Sequence, residues 1–230
     1  VGAPQVSYRE TISKKVEHRE IYKKQTGGRG KFADISFEMG PIEEFEEYDD
    51  DSDRVTREEG FVFVNEIVGG NIPREFIPSV MKGFQQALTA GIQANYSVEN
   101  VGFRLFDGSY HDVDSDQLSF ELCAKLGFRN AARKASPKIL EPVMKVEIIT
   151  PEEYMGDVIG DLNSRRGIMQ KMDSNKEGSV VNAHVPLSEM FGYSTDLRSI
   201  TQGRAVYSME FHDYIEVPET LAQEIIEEQS

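Results

Sequence analysis

Apolar and polar residues alternate along several short segments of the first 135 residues, and two longer helix-like runs lie between them. Alternation is typical of strands, whereas apolar residues three or four positions apart are typical of helices. Pro78 suits the first turn of the first helix and Gly91 suits the position after its end. The pattern predicts strands at residues 6–12, 16–24, 35–39, 61–66 and 98–106, and helices at residues 78–90 and 117–135.

A different order of elements follows a boundary near residues 136–141. It runs strand, helix, strand, strand, helix, strand, which is the split β-α-β or ferredoxin-like arrangement. A short C-terminal helix is predicted after Pro218. The fold class is therefore α+β. The predicted strands are 143–150, 168–172, 180–185 and 205–215, and the predicted helices are 151–166, 188–203 and 219–228.

Composition limits the classes of function. The 230 residues suffice for one large domain or two ordinary ones. A formal net charge of −15 argues against non-specific nucleic-acid binding by the whole chain. The negative charge is concentrated in residues 43–59, which we expect to be a solvated loop, whereas residues 1–31 are locally basic. A local basic surface can still attract phosphate at short range.

The location of the protein is also indicated by its composition. No apolar run is long enough to cross a bilayer, and the first residues do not resemble a signal peptide, so we expect no membrane partner. The single cysteine, Cys123, cannot form an internal disulfide, which suits a reducing, cytoplasmic compartment. Because Cys123 lies in an apolar helical pattern, it is expected to be a buried residue and not a nucleophile.

The loop between the strand at 98–106 and the following helix carries the most candidate chemistry. His111, Asp112 and Asp114 could form a metal site, although zinc usually needs further histidine or cysteine ligands nearby. His111 could instead be a general base oriented by Asp112, or the loop could contact a partner. Asp114, with Gln117 three residues later, also fits a helix N-cap.

Gly28-Arg29-Gly30 and the residues up to Ala33 formally match a dinucleotide-binding motif. That motif must follow a buried strand and begin a helix, whereas here it leads into a strand. The segment is therefore predicted to be a turn, with Arg29 and Lys31 near its end. No phosphate-binding loop occurs, and residues 175–178 lack the aspartate of a guanine-reading motif, so this chain is not expected to hydrolyse GTP. Arg165 and Arg166, at a predicted helix end, suit either the helix dipole or phosphate.

Six motifs occur in an order that closely resembles the C-terminal portion of the elongation factor G family. They are QTGGRG at 25–30, GGNIPREFIP at 69–78, GSYHDVDS at 108–115, LEPVMKVE at 140–147, GDVIGDLNSRRG at 156–167 and VPLSEMFGY at 185–193. The resemblance covers nearly the whole chain. It implies a ribosomal protein S5 domain 2-like α/β domain at 1–138, a ferredoxin-like domain at 139–217 and a C-terminal helix at 218–230.

The resemblance also implies a function. It implies a monomeric, ribosome-contacting part of a translational GTPase that promotes translocation, with the loops near residues 25–30 and 109–114 forming a tip at the decoding centre. His111 matches the family's tip histidine, and Arg165 and Arg166 are candidates for contact with rRNA. GTP and Mg²⁺ would belong to a GTPase domain of a longer parent, with no cofactor, metal or catalytic residue in this chain. The residues expected to contact rRNA or the tRNA–mRNA pair at the tip are Gly27, Gly28, Arg29, Gly30, Lys31, Ser109, Tyr110, His111 and Asp112.

Two departures from the family pattern point to a divergent bacterial paralogue. Residues 31–34 read Lys-Phe-Ala-Asp where the family usually has Gln-Tyr-Gly-His, and the acidic segment 43–59 is longer than usual. Such paralogues serve translocation, ribosome recycling or ribosome protection, and the retained His111 favours translocation. Two other hypotheses stay open: a small metal-dependent hydrolase using His111, Asp112 and Asp114, and a regulatory binding module in the ferredoxin-like half.

Overall fold

The computed structural model describes residues 6–25, 27–176 and 178–230. The chain divides into two compact units. The larger unit comprises Arg9–Ile139 together with Pro218–Ser230, and the smaller unit comprises Leu140–Val217 with residues 6–8. None of the helices in the described ranges is long and apolar enough to cross a membrane.

The larger unit is built on a five-stranded sheet. Its elements are β1 (Arg9–Ile12), β2 (Val16–Lys24), β3 (Lys31–Pro41), β4 (Val55–Glu58), β5 (Phe61–Asn65), α1 (Ile77–Ala90), β6 (Val101–Ser109), α2 (Gln117–Ala132) and a C-terminal helix (Glu219–Glu228). The strand order in the sheet is β2-β3-β6-β5-β4. Only the β5–β6 pair is parallel, because α1 crosses over between these strands. The helices α1 and α2 cover one face of the sheet, where Phe37, Phe84 and Phe103 are fully buried.

The ends of α1 follow from local chemistry. Pro78 stands in the first turn, where its missing N–H costs no hydrogen bond, and Gly91 follows the helix with φ 83°. Val80, Phe84 and Leu88 fall on one face and are buried. The helix predicted at 78–90 is therefore confirmed, with a start one residue earlier.

The acidic segment differs from its prediction as a solvated loop. It contains a 3-10 turn at Ile42–Phe45 and the strand β4. Phe45 is fully buried and packs with Val62 and Val64, and the half-buried Val55 completes this small cluster. Burial of the few apolar residues therefore orders the segment, while its carboxylates stay exposed to water.

In the smaller unit the predicted order of elements is confirmed. The elements are β7 (Pro137–Thr150), α3 (Met155–Ser164), β8 (Ile168–Asn175), β9 (Gly178–Pro186), α4 (Tyr193–Thr201) and β10 (Val206–Glu216). The strands pair antiparallel in the order β8-β9-β7-β10, and the core contains Val146, Val181 and Leu162. The helix predicted at 188–203 is shorter, because Gly192 adopts a left-handed conformation with φ 77° and α4 begins after it.

Candidate functional site

Two loops meet at one end of the larger unit, the one between β2 and β3 and the one after β6. The backbone N–H of Phe32 donates to the carbonyl oxygen of Asp114 at 2.9 Å. Arg29 Nε donates to the carbonyl oxygen of Val113 at 3.0 Å. These bonds join the loops into one surface, which we call the tip, formed by residues 27–31 and 109–114. Thr26 belongs to the predicted first loop but lies outside the described residues.

His111 is held in the tip by its neighbours. Its imidazole stacks on the ring of Phe32, with ring centroids 3.8 Å apart and an interplanar angle of 3°. The backbone N–H of His111 donates to Ser115 Oγ at 2.9 Å, and that hydroxyl donates to the carbonyl oxygen of Phe32 at 2.8 Å. Ser115 is buried, whereas His111 is exposed. One face of the imidazole is therefore covered while the residue stays accessible.

The charges of the tip are partly neutralised within the protein. Lys31 Nζ lies 2.6 Å from Asp116 Oδ2. Burial raises the pKa of Asp116, but hydrogen bonds from Lys31 and Ser119 outweigh burial and hold this pKa at about 2. Arg29 is exposed and has one hydrogen bond, to a carbonyl oxygen. Arg29 is thus the cation of the tip with the most freedom to attract phosphate.

A buried carboxylate lies directly beneath the tip. Arg19 donates to both oxygens of Asp34, at 3.0 and 2.9 Å, and Ser109 Oγ donates to Asp34 Oδ2 at 2.6 Å. Burial alone would raise the pKa of Asp34, but these hydrogen bonds lower it below its usual value. The hydroxyl of Ser109, predicted to contact RNA, is thereby engaged by Asp34. The cluster ties the start of the second loop to β2 and β3.

Two glycines meet specific backbone demands near the tip. Gly27 has φ +44°, in the left-handed region that glycine adopts without strain. Gly108 comes just before the second loop, where an added Cβ would lie 2.4 Å from the carbonyl oxygen of Asp34 and 2.5 Å from Ile72 Cδ1. Gly28 is exposed at the end of the first loop, and Gly30 is buried against Asp114. Glycine is therefore required at 27 for its backbone conformation and at 108 because no side chain would fit.

The second loop forms an open concavity of about 640 Å³. Val113 is 68% exposed and Tyr110 is 40% exposed, so apolar surface is available beside His111. In the described residues no three His, Cys, Asp or Glu side chains form a group that could hold a metal ion. Over the same residues, no carboxylate is hydrogen-bonded to the His111 ring. The arrangement offers stacking and backbone contacts to a partner. The concavity is lined by Tyr110, His111, Asp112, Val113 and Asp114.

Asp114 is not the N-cap of α2, contrary to the prediction. The cap is Asp116, whose carboxylate accepts a hydrogen bond from the backbone N–H of Ser119 at 2.7 Å. Asp114 instead pairs through its carbonyl oxygen with Phe32, which keeps the chain out of the helix for two more residues. Both aspartates have a polar residue three positions later, so the local sequence allows either as the cap. The contact of Phe32 with Asp114, which are distant in sequence, leaves Asp116 as the cap.

Arg165 and Arg166 are engaged within the smaller unit. Arg165 pairs with Asp161 at 3.0 Å and with Asp196, and it lies over the ring of Tyr193. Arg166 donates to both oxygens of the buried Glu141, at 2.8 and 3.0 Å. Burial and pairing occupy both guanidinium groups, so contact with rRNA stays a prediction.

Sequence reasoning did not identify three contributors to the tip: Phe32, Ser115 and the Arg19–Asp34 pair. In the sequence, Phe32 and Asp34 stand out only as departures from a family pattern. The alternation of β3 is a usable signal, because it places Phe32 and Asp34 on the face opposite the core residues Ala33 and Ile35. Asp34, a carboxylate on the strand beside the loop that contains His111, is therefore a candidate for a polar contact beneath that loop.

Comparisons with known proteins agree with this geometry. The family model described as elongation factor G, domain IV, matches residues 4–136, and the model described as elongation factor G C-terminus matches residues 138–225. An elongation factor G of Salinibacter ruber is 54% identical over 230 residues, which are 100% of this chain and 31% of that protein. One of Amoebophilus asiaticus is 55% identical over 226 residues, 98% of this chain and 30% of that protein.

Solved structures agree as well. A crystal structure of a Thermus thermophilus protein is 36% identical, with a TM-score of 0.81 over 99% of this chain and 32% of that one. The α+β fold class is thereby confirmed. The chain spans about 30% of the length of the curated relatives that it matches.

Proposed function

The chain belongs to the elongation factor G family, and on that premise we propose that it is the C-terminal, ribosome-contacting part of a translational GTPase. In this proposal it promotes translocation of tRNA and mRNA during protein synthesis in the cytoplasm. GTP and Mg²⁺ act in a GTPase domain of the longer parent protein. The chain itself contributes contacts to rRNA and to the tRNA–mRNA pair at the decoding centre.

The observation that carries the proposal is the exposed His111 held against Phe32 at the tip. Proteins recognise unpaired RNA bases largely by stacking on aromatic side chains or guanidinium planes. A histidine whose position is fixed on one face presents its other face and ring edge to a base. The exposed surface of Tyr110 and Val113 widens this contact.

Charge supports a local and not a general attraction to RNA. The formal net charge is −15, and Lys31 is paired with Asp116. Arg29 and the backbone of Gly27 and Gly28 therefore provide the favourable contacts with phosphate, while the rest of the surface is repelled. The tip would then bind RNA in the orientation that brings these residues, and not the negatively charged surface, to the phosphates.

A chimera tests the proposal. This chain replaces the corresponding C-terminal part of the Salinibacter ruber protein, which aligns with all of it. His111→Ala should slow translocation by about tenfold, since stacking on one base contributes about 1–3 kcal/mol. Ribosome-stimulated GTP hydrolysis should change by less than about twofold because that chemistry lies in the other domains.

The matched control is Glu75→Gln, an exposed residue of the same unit. It should leave both rates unchanged. Wild-type translocation in the His111→Ala chimera would contradict the role of His111 at the tip. A chimera with unaltered sequence that fails to translocate would contradict the proposed function as a whole.

One observation favours a specialised paralogue as a second candidate. Asp34 stands where the family usually has histidine, and it holds Arg19 and Ser109 beneath the tip. A remodelled support for the second loop suits a different substrate state of the ribosome, such as recycling or protection. A chimera that translocates poorly but separates ribosomal subunits, or relieves drug inhibition, would favour this candidate.

A further inference from the structure

The larger unit has a second concave region, apart from the tip, with a volume of about 570 Å³. It lies between β4, β5, the loop at residues 67–74 and the first turn of α1. None of the tip residues contributes to it. Its wall includes Arg54, Phe63, Ile67, Ile72, Arg74 and Met81.

The floor of this cavity is apolar and fixed. Phe63, Ile67 and Ile72 are 3%, 6% and 1% exposed and belong to the main hydrophobic core, whose shape is set by close packing. Ile77 and Met81 are half-buried against the same core. The cavity is therefore formed in advance, as is usual for small-molecule sites, and its volume of about 570 Å³ is in the range of such sites.

Two arginines at its rim have free hydrogen-bonding capacity. Arg54 Nη1 donates to the carbonyl oxygens of Asn65 and Ile67, at 3.1 and 3.2 Å, which orients the guanidinium. Across residues 6–25, 27–176 and 178–230, its Nε and Nη2 have no hydrogen-bond partner, and the side chain of Arg74 has neither a hydrogen bond nor an ion pair. Both guanidinium groups therefore have donors available for an anion, although the chain as a whole has 40 acidic and 25 basic residues.

We propose that this cavity binds an organic anion, a phosphate or carboxylate that carries one compact apolar ring. The planar guanidinium groups of Arg54 and Arg74 suit the oxygens of such an anion. The ring would lie on Ile77 and Met81. Asn65 also lines the cavity, and its side-chain amide can donate to the same anion, whereas the Asp53 carboxylate in the lining favours binding on the side of the two arginines.

The wall of the cavity also contacts the strand that leads into the tip. Ile72 packs against Gly108, and Asn71 Nδ2 donates to Asp107 Oδ1 at 3.1 Å. A ligand that lies on Ile77 and Met81, beside Ile72 in the cavity wall, would therefore change the surroundings of the Gly108 amide. This amide is a reporter of binding that lies outside the cavity itself.

The probe for the experiment is phenyl phosphate, added to the ¹⁵N-labelled 230-residue chain and followed by amide NMR shifts. Inorganic phosphate supplies the charge alone and benzyl alcohol supplies the ring alone. We expect saturable shifts at residues 67–74 and at Gly108 with phenyl phosphate, and binding at least about fivefold weaker with either partial probe, because charged hydrogen bonds and apolar burial both contribute.

Variants separate the site from non-specific binding. Arg74→Gln should weaken phenyl phosphate binding by at least about fivefold while leaving the rest of the spectrum unchanged, since the Arg74 side chain holds no other described group. The matched control Arg129→Gln removes an exposed arginine of α2 in the same unit and should bind like the wild type. Equal affinity in the wild type and Arg74→Gln, or shifts scattered over the surface, would overturn the proposal.

Discussion

Phe32 and His111 lie face to face, with ring centroids 3.8 Å apart and ring planes 3° from parallel. They come from β3 and from the loop after β6, so the stack also joins the two halves of the tip. Aromatic pairs contribute about 0.5–1.5 kcal/mol beyond the burial of their surface, and a closely overlapped face-to-face pair such as this one belongs in the lower half of that range. That is small for stability, yet it is enough to hold an exposed imidazole in one orientation most of the time.

Phe32→Leu should release the His111 ring, because leucine fills space but offers no ring to stack on. We expect greater picosecond-to-nanosecond motion of the imidazole in ¹³C relaxation measurements. The free energy of unfolding should fall by about 1 kcal/mol. In the chimera, translocation should slow toward the rate of His111→Ala. Phe32→Tyr keeps the ring and should match the wild type in all three measurements, and identical results for leucine and tyrosine would disprove the positioning role.

Asp34→Asn should destabilise the larger unit at neutral pH. Asparagine keeps one carbonyl oxygen but loses the charge that pairs with Arg19 and the second acceptor. Hydrogen bonds to a buried charged group contribute about 1.5–3 kcal/mol, so we expect a loss of about 2 kcal/mol in urea unfolding. Ser109→Ala removes one of the three hydrogen bonds and should lose less.

The pH dependence of the same variant follows from the lowered pKa of Asp34. A carboxyl group whose pKa is lower in the folded than in the unfolded state contributes stability above its unfolded pKa, about 3.9 for aspartate, and loses it as the pH falls through the folded value. The wild type should therefore keep its advantage over Asp34→Asn down to about pH 4 and lose it as the pH falls further, through the lower pKa of the folded state. A difference in unfolding free energy that stays constant down to about pH 2 would contradict this.

Regular elements could be predicted from sequence because their signals are local. The strand at 16–24 and the helix at 219–228 have the predicted bounds, since alternation, proline and helical spacing are short-range patterns. The ordering of residues 43–59 could not be, because it depends on Phe45 reaching Val62 and Val64. The sequence prediction gave weight to the many charged residues and not to the few apolar residues whose burial orders the segment.

The proximity of the two loops was predictable, but the contacts between them were not. The family resemblance implied that the two loops lie side by side, and in the structure they are in contact. The stack of Phe32 on His111, the cap at Asp116 and the pairing of Asp34 with Arg19 depend on how the strands and loops pack together. Phe32 and His111, and Asp34 and Arg19, are partners from different elements, and the choice of Asp116 as the cap follows the contact of Phe32 with Asp114, so local patterns alone do not specify these contacts.

Glu10 of β1 is fully buried, and its carboxylate accepts hydrogen bonds from a turn of the backbone. Glu10→Gln should lower the free energy of unfolding by about 3 kcal/mol, because an amide NH₂ would face N–H donors and leave buried groups unpaired. The donors are the backbone N–H groups of Ile92, Gln93, Ala94 and Tyr96, at 2.7 to 3.3 Å.

Urea unfolding measures this effect, and Glu75→Gln serves as the control because Glu75 is exposed. We expect the control to differ from the wild type by less than about 0.5 kcal/mol. Equal losses for the two variants would mean that the buried carboxylate does not hold the turn.

Substitutions of Arg166 distinguish a structural role of this residue in the smaller unit from a role in contacting RNA. Its guanidinium donates to both oxygens of Glu141, whose side chain is 3% exposed, and pairs with Glu189 at 3.1 Å. The hydrogen bonds with Glu141 raise the pKa of Arg166, in keeping with a strong pairing of the two groups. Arg166→Met leaves the buried Glu141 without a cationic partner, with a long hydrogen bond from Ser188 Oγ at 3.4 Å, and should lower the free energy of unfolding by about 3 kcal/mol.

Arg166→Lys keeps the charge but loses the two-pronged geometry, so it should retain part of that stability. Lys145→Ala is the control, because Lys145 is 53% exposed and its pairing with Glu210, at 4.0 Å, contributes little. If Arg166 served only to contact rRNA, Arg166→Met would unfold like the wild type and weaken only ribosome binding by the chimera. A loss of stability in Arg166→Met, with the lysine variant intermediate and the control unchanged, assigns the guanidinium to the buried carboxylate.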